Sequence, residues 1–150
     1  MMLKRVLGMF VVCLVLYLIA FHSDNYVRTR KGPWILSFTN EPSGEPALLI
    51  AQPKLGIGNF KLVLGGERTT NAPAVVRFSG PGLSIPFGTI IFFDTTYLPG
   101  TVTLDLFGHG VELLPRALRV NRKEIPWQGE TTLRLEPSEK ATPKPIKRKR

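Results

Sequence analysis

Residues 89–114 read TIIFFDTTYLPGTVTLDLFGHGVELL, and the fold class turns on this stretch. Three runs of β-branched, aromatic and aliphatic residues are separated by the turn signals Pro99-Gly100 and His109-Gly110, with no apolar pattern of helical period. Residues 101–106 alternate cleanly, with Val102, Leu104 and Leu106 on one face and Thr101, Thr103 and Asp105 on the other. Such a strand has one side against a core and one side open. Pro99-Gly100 suits a turn with glycine in its third place, and His109-Gly110 resembles the two-residue turns of hairpins. A three-strand meander over 89–96, 101–107 and 111–114 is therefore expected. The unbroken run Ile90, Ile91, Phe92, Phe93 predicts a strand covered on both faces, near the middle of the fold.

The same punctuation extends outward. Glycine and proline recur about every ten residues from Gly32 to Pro137, and the intervals are rich in Val, Ile, Leu, Phe and Thr. Further strands are expected at 34–39, 47–52, 59–64, 74–79, 117–120 and 131–135. Eight or nine short antiparallel strands make an all-β domain, a β-sandwich or jelly roll. Gly56 and Gly58 form a G-x-G without the third glycine or a following helix, which fits a strand start or bulge better than a phosphate cradle.

Before the domain, residues 6–21 (VLGMFVVCLVLYLIAF) carry no charge and follow Lys4-Arg5. As a helix this run covers roughly 24 Å, a little short of a hydrocarbon core of about 30 Å, and Leu3 with the stems of Lys4 and Arg5 lengthens it. A signal peptide shares these features, but the residues around Ala20 lack an Ala-x-Ala cleavage pattern, which favours an uncleaved single-pass anchor. Val11-Val12 ahead of Cys13 argue against a lipidated cysteine. The basic residues nearest the apolar run favour a cytoplasmic amino terminus and a domain on the outer face. The expected organisation is an anchor over 1–23, a basic linker over 24–33, a β-sandwich over 34–136 and a disordered basic tail over 137–150.

Charge follows this division. The formal net charge is +9. The excess lies at the ends, where Lys4, Arg5, Arg28, Arg30 and Lys31 face only Asp24, and Lys140, Lys144, Lys147, Arg148, Lys149 and Arg150 face only Glu139. Basic and acidic residues balance between them, so a folded nucleic-acid reader with a basic face is not expected. The tail residues Lys144, Lys147, Arg148, Lys149 and Arg150 suit an anionic partner, a lipid surface above all. A lone Cys13 and two histidines, His22 and His109, leave no disulfide framework and no thiolate or imidazole metal site within one chain. His109 is expected in a turn.

Two constellations merit attention. If the strands around Pro99-Gly100 pair tightly, Asp94 lies opposite Asp105 with Glu112 nearby, an arrangement suited to a cation or to acid/base work. The competing reading neutralises these carboxylates with Arg77, Arg116 or Arg119. Trp34, Tyr97 and Trp127 are candidates for a sugar-stacking platform, provided they are exposed. No G-x-S-x-G context accompanies any serine, so nucleophilic catalysis is not expected. No cofactor is implied. These readings favour a membrane-anchored, non-catalytic interaction or assembly module with a protein partner in a membrane complex. The alternative is a carbohydrate-binding or carbohydrate-active envelope protein using Asp94, Asp105 or Glu112; a third reading is a cytoplasmic nucleic-acid tether acting through the tail.

Overall fold

A computed structural model describes residues 1–71, 73–127 and 131–140. The chain opens with one helix, α1 (Met2–Thr29), followed by ten strands in two five-stranded sheets. The strands are β1 (Ile35–Asn40), β2 (Pro46–Gln52), β3 (Ile57–Leu64), β4 (Ala74–Arg77), β5 (Thr89–Asp94), β6 (Thr101–Leu106), β7 (His109–Leu113), β8 (Ala117–Val120), β9 (Lys123–Pro126) and β10 (Thr132–Leu135). One sheet runs β10-β3-β2-β1-β4 and the other runs β5-β6-β7-β8-β9. The architecture is an all-β sandwich preceded by an apolar helix.

Alternation builds the core. Leu36 and Phe38 on β1, Leu48 and Ile50 on β2 and Phe60 and Leu62 on β3 point inward from one sheet. Val102, Leu104 and Leu106 on β6, with Val111 and Leu113 on β7, answer from the other. The open face of β6 expected from Thr101, Thr103 and Asp105 is the one observed. Phe78 and Phe93 meet edge to face, 6.1 Å between centroids, and join the β4 edge of one sheet to the β5 edge of the other. On the opposite side, a cleft of about 450 Å³ lies between β9 and β10, floored by Val120, Ile125, Leu133 and Leu135.

Several expectations are corrected. The apolar run at 90–93 belongs to an edge strand: among the described residues β5 pairs with β6 alone, and Ile91 and Phe92 are 62% and 56% exposed. Continuous apolarity reflects burial on one face and an uncovered face on the other, together with a bulge between Ile90 and Phe92 that breaks the alternation. The hairpin turn between β6 and β7 is Phe107-Gly108, with φ of 54° and 87°, so His109 is a buried strand residue. Asn121-Arg122, φ 48° and 71°, forms a second such turn and creates β9, which the charged sequence hid. The sheets are not wholly antiparallel, because β10 pairs parallel to β3.

The ends also differ from expectation. The helix continues through the expected linker as far as Thr29. At the other end, the described residues run four positions past Glu136, to Lys140. Pro137–Glu139 is a 3₁₀ turn closed by a capping box, in which the side chains of Glu136 and Glu139 each accept a backbone N–H of the other's end. Polar local bonds, with a Lys140–Glu67 ion pair at 2.6 Å, fix a segment whose apolar content is too low to order itself by burial. The tail residues Lys144, Lys147, Arg148, Lys149 and Arg150 lie outside the described residues.

Candidate functional site

Two features stand out, the junction between helix and sandwich and the uncovered edge beside it. No residue of α1 is buried, and the helix is long and apolar enough to cross a membrane. Its last turn touches the domain. Leu98 N donates to the Arg28 carbonyl at 2.8 Å, and the Arg28 guanidinium, paired with Asp24 at 2.8 Å, lies 5.3 Å from the Tyr97 ring centroid.

Gln52 clamps the segment that follows. Its side chain, 1% exposed at the end of the apolar strand β2, takes the Lys54 N–H on Oε1 and directs Nε2 at the carbonyls of Lys31, Gly32 and Pro33, at 2.9, 2.8 and 3.1 Å. An amide NH₂ has two hydrogens, so three acceptors share them. Trp34 then enters the core, and its Nε1 donates to Gly100 O at 3.0 Å. The 95–100 loop is thereby held from both sides, by α1 through Leu98 and by Trp34 through Gly100.

The second feature is β5. Of the four edge strands, β4, β9 and β10 each carry a cation within the strand, at Arg77, Lys123 and Arg134, and β9 also ends in proline. Charges and prolines of this kind discourage pairing with another chain. β5 has no cation and no proline; its one charge, Asp94, stands at its end as Arg77 does in β4, and it shows both Ile91 and Phe92 to the outside where β4 shows Val75. Tyr97, 56% exposed, lies beside Arg28 at the end of α1.

The expected carboxylate pair is not formed. Asp94 lies opposite Thr101 and Asp105 opposite Thr89, four residues apart along β6, or roughly 13 Å. The bulge and the six-residue loop shift the register from that of a tight Pro99-Gly100 hairpin. Each carboxylate caps a turn: Asp94 Oδ1 accepts from Thr96 N and Asp105 Oδ1 from Gly108 N, both at 2.9 Å. The Thr96 bonds hold the Asp94 carboxyl below its ordinary range. Glu112 is neutralised by Arg119 at 2.9 Å. Among the described residues, no group of three or more His, Cys, Asp and Glu side chains is placed to hold a metal ion.

The three aromatic candidates are likewise separated in role. Trp34 is fully buried. Trp127 is half-buried, packs 5.5 Å from both Trp34 and Phe60, and donates its Nε1 to Leu114 O. Trp34 cannot stack on a sugar, and Trp127 is tied to the core by its contacts with Trp34 and Phe60. Gln52, Leu98 and the β5 edge escaped the sequence reading. The one available signal was a glutamine closing the apolar strand PALLIAQ, since a buried amide there must find partners.

Comparison with protein-family models, with curated proteins and with solved structures finds no match to this chain.

Proposed function

We propose that the protein is a single-pass, membrane-anchored β-sandwich that works as a non-catalytic interaction module, taking an extended segment of a membrane neighbour onto β5. The uncovered apolar edge carries this reading. Among the described residues no strand pairs with the outer side of β5, which leaves its backbone N–H and C=O groups open to a partner strand, and Ile91 and Phe92 supply side-chain contacts, the two ingredients of strand addition. The anchor supplies the rest. Confinement to a bilayer raises the effective concentration of neighbours, so a short strand contact suffices where a deep pocket would otherwise be needed. With Lys4 and Arg5 on the cytoplasmic side, the sandwich faces outward.

No observation favours the carbohydrate reading, since its carboxylates cap turns or pair with arginine and two of its aromatics pack inside. A photoreactive residue in place of Ile91, activated in intact membranes, tests the proposal. A discrete adduct with one neighbouring protein that disappears in Phe92→Glu is expected. No adduct, or one indifferent to Phe92→Glu, overturns the edge as the binding element. Recovery of the chain in the soluble fraction, trimmed after Ala20, overturns the anchor.

A further inference from the structure

The carboxy-terminal strap, residues 136–140, closes over the end of the sandwich where β7 begins and β8 ends. Asn121 is its fastening. The Asn121 amide orientation is fixed by its surroundings: Oδ1 accepts from Gly110 N at 3.0 Å, and Nδ2 donates both to Glu139 O at 2.7 Å and to His109 Nδ1 at 3.0 Å. A nitrogen that accepts from Nδ2 bears no proton, so His109 is the neutral tautomer with hydrogen on Nε2. The ring is fully buried, and Nε2 has no partner among the described residues.

We propose that this arrangement is a proton-sensitive latch, in which the strap is docked while His109 is neutral and is released when the imidazole takes up a proton. A proton on Nδ1 would face the Asn121 N–H, donor against donor, and Asn121 has no freedom to turn because Gly110 and Glu139 hold its two ends. Among the described residues, the N–H of an imidazolium on Nε2 would still lack an acceptor. Hydrating the cation requires its cover to move, and the strap is part of that cover: Lys140 methylenes lie over Gly108, beside His109, and Lys140 Nζ is paired with Glu67.

The charged groups around the ring do not reverse this. Burial pushes the His109 pKa down and the Lys140 ammonium pushes it further, while Glu139, Glu67 and Asp105 pull weakly upward. A depressed value fixes the sign. Docking is fully favoured above the ordinary histidine pKa near 6.5 and is lost as pH falls below it, through the value in the docked state. Among side-chain types, the imidazole is the one whose reference pKa, about 6.5, lies between pH 5 and 7.5, which makes that the range to test. Release would free the root of the basic run at 144–150 from the sandwich surface. The latch is independent of any partner on β5.

The full chain in detergent micelles is treated with a lysine-specific protease between about pH 7.5 and 5, and cleavage after Lys140 is normalised to a free peptide of residues 136–145. Cleavage is expected to rise about tenfold toward pH 5. The midpoint should coincide with the His109 imidazole titration followed by NMR, with His22 assigned by its own substitution. In His109→Gln the pH dependence should vanish. The latch is refuted if wild-type cleavage stays flat, if His109 titrates without a rise in cleavage, or if His109→Gln keeps the rise. Should that variant fail to fold, coincidence of the two wild-type midpoints decides.

Discussion

Gly100 closes the loop that meets the helix, and it does so with φ of 72°, where a side chain is strained. A Cβ there would also stand inside the van der Waals envelope of the Asp94 carbonyl oxygen. Gly100→Ala must therefore move the loop and weaken the Trp34 bond to Gly100 O. A loss of about 3 kcal/mol or more is expected from chemical denaturation in micelles. Gln52 acts by a different cause. Gln52→Ala leaves the Lys31, Gly32 and Pro33 carbonyls without their shared donor in a part-buried place, and about 1–3 kcal/mol should be lost by the same measurement. Gln52→Glu should do no better, because a carboxylate cannot donate to carbonyls. Both residues stand in the sequence without ornament. A glycine after proline reads as a turn, but the partner it must clear is set by the register of β5.

At the scale of the element, β5 shows how a strand's place in a sheet escapes its own sequence. Four apolar residues in a row fit a central strand and an uncovered edge equally well, and only the pairing of β6 with β7 on its other side places β5 outside. A consequence is measurable. Phe92→Glu, made at an exposed position, should change unfolding stability by less than about 0.5 kcal/mol while abolishing the photo-adduct at position 91. A large loss of stability would mean that Phe92 belongs to the core. β9 illustrates the converse. Lys123 and Glu124 look like a solvated turn, yet the αL conformations of Asn121 and Arg122 fold that segment back onto β8. Asparagine's tolerance of αL was the legible signal, whereas arginine in the next place disguised it.

For the whole molecule, acid stability depends on contacts between distant segments. Glu45, at the start of the β1–β2 hairpin's return, is bound by Arg134 of β10 at 2.5 Å, and Arg134 also holds Glu136 at 2.7 Å. The Arg134 guanidinium, then the Gly66 N–H and the Ser43 hydroxyl, bring the Glu45 carboxyl down to about 2. Its stabilising contribution is present above the ordinary value of 4.5 and is lost as pH falls through about 2. Thermal unfolding of wild type and Glu45→Gln should differ above pH 4.5 and converge toward pH 2. The ion pairs are exposed, so the difference should also shrink with added salt.

The same contacts mark the boundary of what the chain declares by itself. Hydrophobic run length and strand alternation are local, and they determined an apolar amino-terminal helix, an all-β domain of short strands, and an inward face for Val102, Leu104 and Leu106. Register, sheet order and the partners of buried polar groups are relations between residues far apart in sequence. The tertiary structure alone therefore decided that Asp94 and Asp105 stand apart, that β5 lies at an edge, that Gln52 fastens helix to sandwich, and that His109 sits beneath a strap. The physical reason is that desolvation penalises a buried donor or acceptor left without a partner, and which partner comes within reach depends on how the sheets stack.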